Sequence, residues 1–226
     1  MSKEYYPLFL DMSHCRCLVV GAGAVGCRKL AGLLAAQAQA VLVLDTAAPS
    51  AQALPLLQHP AVTFAQRAFA PQDLEGAHLV FAATGDAAVN AAITTLCREK
   101  NIFCNCIDAP ASGSFIVPAK ASRGRLCAAL STGGASPALA KLWRQELEAW
   151  LAPRAAMASL MGRLRPLVLA MQDDTGHNTH LFRSIAASPL QAHLAKGDYA
   201  ACEAVLLQLL PPVLHRHIAE LLHDIT

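Results

Sequence analysis

The sequence predicts an α/β protein, in which a parallel sheet flanked by helices precedes a β-hairpin and a helical C-terminal region. Three observations support this fold class. Short apolar runs alternate with helical stretches up to residue 107, a hairpin pattern spans 114–131, and helix-forming sequence fills the chain from Pro153. Strands that alternate with helices are typical of a doubly wound parallel sheet.

The first strand–helix–strand unit contains a glycine-rich turn. An apolar strand from Cys17 leads into Gly21-Ala-Gly-Ala-Val-Gly26 at the start of a helix, and the apolar strand 41–45 follows. Gly21 permits a tight turn, Gly23 lets the backbone approach a pyrophosphate, and Gly26 lets the helix pack closely. The N–H groups and the positive dipole end of the helix then face the phosphates. This order predicts a Rossmann-type dinucleotide-binding domain.

The acid that closes the second strand predicts which dinucleotide binds. Asp45 lies 19 residues after Gly26, about where a carboxylate meets the ribose 2′-hydroxyl. Its charge would repel the 2′-phosphate of NADP. Arg28 and Lys29 lie on the helix rather than after the second strand, so they are not placed to offset that repulsion. The predicted cofactor is NAD.

The rest of the sheet is predicted from apolar runs and cap signals. The predicted elements are a helix over 47–58, a strand over 62–65, a helical turn over 71–75, a strand over 78–83, a helix from the cap Asp86 to about 100, and a strand over 102–107. Ligands of such sheets bind beyond the carboxyl ends of the strands. We therefore expect the glycine turn, Asp45, residues 84–86 and residues 105–108 to meet at one edge.

The pattern changes after Pro110. Residues 114–121 and 125–131 are predicted strands of a hairpin, and Ser136 and Pro137 are predicted to open a helix that continues to Leu151. Beyond Pro153 the chain is predicted to be all helical, with breaks at 173–176, 188–189, 196–198 and 211–212.

Composition limits the class of protein. No apolar run approaches the roughly 18 residues of a membrane span, no signal-peptide core is present at the N-terminus, and the net charge of +2 does not favour nucleic acid. The eight cysteines form no C-x-x-C pair, and the histidines at 177, 180, 215 and 217 have no ligand partners at metal-site spacing. We predict a soluble cytoplasmic protein with reduced, buried cysteines and no metal site.

Several segments together resemble one family. They are the glycine turn followed by Arg-Lys, the segment Phe81-Ala-Ala-Thr-Gly-Asp with Val89-Asn90, and the segments 102–110, 114–119 and 130–140. In order and spacing they resemble the precorrin-2 dehydrogenases, the amino-terminal module of siroheme synthases, from about Tyr6 to Leu151.

The resemblance implies an activity and an organisation. The activity is NAD-dependent oxidation of precorrin-2 to sirohydrochlorin, on the path to siroheme, and some members also insert ferrous iron. Members are homodimers in which the segment after the Rossmann domain swaps across the interface. The implied domains are 1–112 for NAD binding, 113–151 for dimerisation and 152–226 as a small helical domain. The implied NAD contacts are Ala24, Val25, Asp45 and Thr46, and the key acid is Asp108.

Residue chemistry offers roles for the predicted site. Asp108 follows a strand and is suited to accept a proton from a reduced tetrapyrrole, although an Asp before Ala-Pro is also a common turn residue. Thr84 is predicted beside the nicotinamide. Asn105 is predicted either to orient a ligand or to satisfy strand-end backbone.

The substrate carries many carboxylates, which predicts anion-binding groups. The turn formed by Ser131, Thr132 and Gly133 offers backbone N–H groups for a carboxylate, or serves only as the connection into the next helix. Ser114 is a further candidate for the same pocket.

Two other functions are open at this stage. One is a bifunctional enzyme that also inserts iron, which the sequence does not decide. The other is an NAD-sensing regulatory module, which shares the glycine turn and the acid but would need no Asp108. A short-chain dehydrogenase is excluded because no Tyr-x-x-x-Lys lies in the sheet region.

Overall fold

A computed structural model describes residues 4–171 and 175–225 of the chain. The chain divides into two compact units, Met1–Val117 and Pro118–Thr226. The division into 1–112, 113–151 and 152–226 stays a prediction.

The first unit is built on a five-stranded parallel sheet in the order β3-β2-β1-β4-β5. Its strands are β1 (Arg16–Val20), β2 (Ala40–Asp45), β3 (Val62–Gln66), β4 (Leu79–Ala82) and β5 (Phe103–Cys106). Its helices are α1 (Ala24–Ala35), α2 (Leu54–Leu57) and α3 (Ala87–Glu99), with 3₁₀ turns at Met12–His14 and Pro71–Leu74. The predicted Rossmann-type parallel sheet is confirmed.

Helices cover both faces of this sheet, which explains its continuously apolar strands. Val19 of β1 lies in one buried cluster with Leu30 of α1. Leu18 of the same strand lies in the opposite cluster with Ile93 of α3. Successive side chains of a strand point to opposite faces, so both sets of side chains are buried when helices cover both faces of the sheet. Polar side chains therefore collect where the strands end.

Two predicted elements of the first unit differ in the structure. The helix predicted over 47–58 is reduced to α2, because Pro49 and Pro55 cannot supply helical N–H groups and Pro55 is tolerated only in the first turn. The strand predicted to begin at Ser114 begins at Ala119, in the second unit, directly after Pro118.

The second unit contains the predicted hairpin and helices. β6 (Ala119–Arg123) pairs antiparallel with β7 (Leu126–Leu130), and α4 (Pro137–Leu151) packs on both strands. As predicted, Ser136 caps α4 by accepting a hydrogen bond from the Leu139 N–H at 3.2 Å. The remaining helices are α5 (Ala155–Leu169), α6 (Thr175–Ala187), α7 (Leu190–Lys196), α8 (Tyr199–Leu209) and α9 (Ile218–Leu222).

These C-terminal helices share one apolar core. Leu160 and Leu164 of α5 are fully buried against Ile185 of α6, Leu206 of α8 and Ile218 of α9. The predicted breaks at 188–189, 196–198 and 211–212 all separate helices, and Gly197 ends α7 with φ +70°. The break predicted at 173–176 lies partly outside the described residues. In the described part of the chain, no helix is both long and apolar enough to cross a membrane.

Candidate functional site

A cavity of about 380 Å³ opens at the carboxyl ends of β1, β2, β3 and β4. We call it the glycine-turn cavity, because Gly21 and Gly23 line it. Its lining includes five residues that were predicted to bind the cofactor, Gly21, Gly23, Asp45, Thr46 and Thr84, together with Arg67. The parallel order of the strands places these segments side by side, although the sequence separates them widely. This is the ligand crevice expected of a doubly wound sheet.

The glycine turn has the shape that a pyrophosphate needs. Gly21 has φ +101°, and a Cβ there would collide with the carbonyl group of Ala83. A Cβ at Gly26 would collide with the carbonyl oxygen of Gly21, so this glycine lets the helix start directly on the turn. Gly23, in contrast, has an ordinary backbone conformation and open space where its Cβ would lie. Nothing in the chain itself requires glycine at position 23, which fits a requirement set by a ligand.

The start of α1 is open toward the cavity. The first helical bond runs from the Cys27 N–H to the Gly23 oxygen at 2.9 Å, and Gly23 supplies no side-chain cap. The N–H groups of Ala24 and Val25 therefore precede the helical ladder at the positive end of the helix. These groups, together with Gly21, Gly23 and Asp45, fit an NAD(P) pyrophosphate and ribose.

Asp45 ties the end of β2 to the glycine turn. Its Oδ2 accepts from the Ala22 N–H at 2.6 Å, and its Oδ1 accepts from the Ala47 N–H at 2.8 Å. The carboxylate is therefore held at the mouth of the crevice, where a ribose is expected. Thr46, the next residue, lines the same cavity and accepts from the Gln66 amide at 3.3 Å through its carbonyl oxygen.

A buried amide joins the end of β4 to the end of β5. Asn90 is fully buried, and its Oδ1 accepts from both the N–H and the hydroxyl of Thr84, at 3.2 and 2.7 Å. Its Nδ2 donates to the Thr84 carbonyl at 3.1 Å, and its side chain is close enough to Asp108 to lower the pKa of that carboxyl. Asn90 thus connects the cavity-lining Thr84 with the predicted base.

The sequence assigned no role to Asn90, although one signal was present. It is a buried polar side chain on the inner face of α3, beside Ile93, and buried amides need partners. Asp86 caps α3 as predicted, accepting from the Ala88 and Val89 N–H groups at 2.8 and 3.2 Å, and it also lines the cavity.

Asp108 is exposed just beyond β5, and the Cys106 thiol donates to its Oδ1 at 3.0 Å. Because the Cys106 thiol and the nearby Asn90 amide both favour the ionised form, they lower the pKa of Asp108 below its ordinary 3.8. At neutral pH the group is a carboxylate, which is the form that accepts a proton.

Asn105 and Ser114 both take part in the bonds that join β5 to the chain segment after it. The Asn105 amide is buried and donates to the Phe115 carbonyl at 3.1 Å. The Ser114 hydroxyl accepts from the Cys104 N–H at 2.8 Å, and the Ser114 N–H donates to the Cys104 carbonyl at 2.8 Å. Ser114 lines a different cavity of about 410 Å³ beside β5, with Thr94 and Arg98. Neither residue is among those lining the glycine-turn cavity, and their binding of substrate stays a prediction.

The turn 131–136 belongs to the second unit and is closed by its own side chains. Ser131 accepts from the Gly133 N–H at 3.1 Å, and the Thr132 hydroxyl accepts from the Ser136 N–H at 3.2 Å. Gly133 and Gly134 have φ values of +62° and +87°. These bonds fit the connection into α4, and the role of Ser131, Thr132 and Gly133 in substrate binding stays a prediction.

Arg67 lines the cavity and was missed from the sequence. It follows β3, and its guanidinium forms two bonds with Asp73, 2.8 Å from Nη1 to Oδ2 and 2.6 Å from Nη2 to Oδ1. No motif identified it, because its placement beside Asp45 depends on the pairing of β3 with β2.

The cysteines are unpaired, and most are buried. Cys17, Cys97, Cys104, Cys106 and Cys202 are buried, and burial raises the pKa of Cys17 to about 12. Small buried thiols match the predicted interpretation of the cysteines. Within residues 4–171 and 175–225, no group of three or more His, Cys, Asp and Glu side chains is arranged to hold a metal ion.

Comparisons with known proteins agree with this geometry. Residues 8–119 match the family described as "Putative NAD(P)-binding". Siroheme synthase 1 of Aeromonas hydrophila is 33% identical over 208 residues, which cover 92% of this chain and 44% of that protein. The siroheme synthase of Methylococcus capsulatus is 35% identical over 206 residues, covering 91% of this chain and 43% of that protein. The chain thus spans less than half the length of these curated relatives.

A solved structure shares the fold. It is SirC, a precorrin-2 dehydrogenase, which superposes with a TM-score of 0.71 at 22% identity, covering 97% of this chain and all of SirC.

Proposed function

We propose that this chain, which is similar to siroheme synthases over most of its length, oxidises precorrin-2 to sirohydrochlorin with NAD as the electron acceptor. One observation carries the proposal. The glycine-turn cavity and an exposed carboxylate, Asp108, lie at the same edge of one sheet, and the buried Asn90, which bonds the cavity-lining Thr84, is close enough to Asp108 to lower its pKa. An NAD-sensing module would need the cavity but no positioned base.

Different residues of the crevice bind different parts of the dinucleotide. The N–H groups at the start of α1 bind the pyrophosphate, and Gly23 leaves room for it. Asp45 accepts from a ribose hydroxyl and repels a 2′-phosphate, which favours NAD over NADP. Thr84 lies on the nicotinamide side, at the end of β4.

The reaction removes a hydride and a proton from the reduced macrocycle. NAD, when bound, supplies the hydride acceptor. Asp108 receives the proton. Its Oδ1 accepts a hydrogen bond from the Cys106 thiol, and its carboxylate is exposed, so the carboxylate is accessible to a substrate. General-base assistance of this kind is worth roughly 10² to 10⁴ in rate.

The test is an anaerobic assay with purified protein, NAD and precorrin-2, followed by the visible spectrum and by NADH formation. We expect equal amounts of NADH and sirohydrochlorin. Asp108→Asn should lower turnover roughly 10²-fold or more while the dissociation constant of NAD stays unchanged. The matched control is Asp11→Asn, an exposed carboxylate before β1 that caps a 3₁₀ turn. NAD binding without substrate oxidation would overturn the proposed dehydrogenase activity and favour an NAD-sensing module.

The homodimer is part of the same proposal. α4 exposes an apolar row at helical spacing, formed by Leu139, Leu142, Trp143 and Trp150 with exposed fractions of 42%, 49%, 40% and 55%. An apolar row of this kind marks an interaction surface, and a second copy of the chain is the occupant proposed.

Light scattering after size exclusion tests the dimer. Trp143→Glu should give monomers, whereas Val213→Glu, at a more exposed apolar residue of the same unit, should not. An unchanged mass in Trp143→Glu would remove α4 from the interface.

A cytoplasmic location is also proposed. All eight cysteines are free, as expected in a reducing compartment.

A further inference from the structure

Arg67, which lines the glycine-turn cavity directly after β3, forms an ion pair with Asp73. The two planar groups meet through a pair of bonds, 2.8 and 2.6 Å long. The Asp73 side chain is only 8% exposed, whereas that of Arg67 is 46% exposed. Asp73 also accepts from the Ala70 N–H at 2.8 Å. Asp73 is thus anchored by the backbone, and it holds the more exposed partner.

Strand register places this arginine next to Asp45. The β2–β3 pairing sets Asp45 against Gln66, so Arg67 is the next residue beyond it. Neighbouring strands lie about 4.8 Å apart. Both Asp45 and Arg67 line the same cavity. A 2′-phosphate on the adenosine ribose would therefore meet one carboxylate and one guanidinium at this end.

Arginine is the side chain that best binds a 2′-phosphate, because its fork fits two phosphate oxygens. In this chain the fork is already filled by a carboxylate. To bind NADP, Arg67 would have to leave Asp73, which would then keep a largely buried charge without its partner. Separating such a pair is costly.

We propose that Asp73 is a specificity-determining residue, which favours NAD over NADP by keeping Arg67 in a closed ion pair. The inference rests on the proposed dinucleotide site and deepens it. Asp45 repels the 2′-phosphate directly, and Asp73 withholds the cation that would otherwise attract it. Arg67 itself makes no contribution to NADP binding while the pair is intact.

The test is the affinity of Asp73→Asn for NAD and NADP, measured by isothermal titration calorimetry at low ionic strength. Asparagine keeps an oxygen for the Ala70 N–H but is neutral, so Arg67 is freed. We expect NADP to bind about tenfold more tightly and NAD to stay within about twofold, as for a gained charge-assisted bond. In the double variant with Arg67→Gln the gain should disappear.

Two further variants complete the test. Asp73→Ser carries the same expectation if the asparagine variant does not fold. Glu148→Gln removes the partner of Arg144 on α4 and should leave both affinities unchanged.

The outcomes separate the two proposals. Unchanged NADP affinity in a folded Asp73→Asn protein would overturn this inference while the NAD site stands. Failure of the unaltered chain to bind NAD would overturn the dinucleotide site itself.

Discussion

The carboxyl edge of the parallel sheet and the turn 131–136 are both glycine-containing and polar, but they are held together differently. At the sheet edge the bonds join distant residues: Asp45 bonds the backbone 23 residues before it, and Asn105 bonds Phe115, 10 residues on. In the turn, Ser131 bonds two residues on, and Thr132 four. The turn needs only its own sequence, whereas the sheet edge exists only when the strands are in register. A substitution at the sheet edge should therefore disturb residues far away in the sequence, whereas one in the turn should affect only its neighbours.

The largest effect is expected from Gly21→Ala. The new Cβ would strain a backbone at φ +101° and collide with the Ala83 carbonyl group, so β1 and β4 must separate. We expect a loss of about 3 to 5 kcal/mol in unfolding free energy, together with loss of NAD binding. Denaturant unfolding measures the free energy, and calorimetric titration measures NAD binding. A stable Gly21→Ala variant that still binds NAD would show that the sheet edge does not depend on this long-range contact.

The second effect is expected from Asn90→Leu, which keeps the volume but removes the amide. Two donors of Thr84 lose their buried acceptor, and Asp108 loses the neighbouring amide that lowers its pKa. We expect a loss of about 2 to 4 kcal/mol in unfolding free energy. Turnover should fall while NAD affinity changes less, because Asp108 moves from its position. Asn90→Ser, which keeps a donor and acceptor, should restore turnover in part; equal turnover in all three proteins would remove Asn90 from the site.

The matched change in the turn is Gly133→Ala. Its φ is +62°, but the position of a Cβ is open space. Only the left-handed backbone is penalised, and we expect a loss of about 1 kcal/mol. Thermal unfolding measures this change, and NAD affinity should be unchanged. A loss as large as that of Gly21→Ala would show that the turn, too, is part of a long-range network.

The smallest effect concerns the charge of Asp108. Cys106→Val removes the thiol donor, so the pKa of Asp108 should rise toward 3.8, as measured by NMR titration of the carboxyl carbon. Cys106→Ser should keep the pKa low. A carboxyl with a lowered pKa stabilises the fold above its ordinary pKa, and the stabilisation is lost as pH falls through the lowered value. The difference in melting temperature between wild type and Cys106→Val should be present at neutral pH and disappear in acid.

The parts of the fold that the sequence predicted are those set by local chemistry. The glycine turn, the apolar strands, and the caps Asp86 and Ser136 are each defined by a few neighbouring residues. The helix over 47–58 was wrong because Pro49 and Pro55 outweigh its apolar content. The strand predicted from Ser114 was wrong because that serine instead forms hydrogen bonds with Cys104 of β5. No local sequence pattern predicts this contact.

The parts of the site that the sequence missed depend on strand order. Asp45 and the glycine turn belong to one motif with a known spacing. Arg67 reaches the same cavity only because β3 pairs with β2, and the bonds of Asn90 depend on where β4 and β5 end. A single sequence gives the residues of these networks but not which of them meet.

The bond from the Ala22 N–H to Asp45 has a consequence for how a nucleotide enters. This bond fastens the glycine turn to the end of β2, so the chain itself orders these two walls of the crevice. Little conformational entropy is then lost on association. Capture of the coenzyme should accordingly be a single fast step, with no slow rearrangement following the encounter.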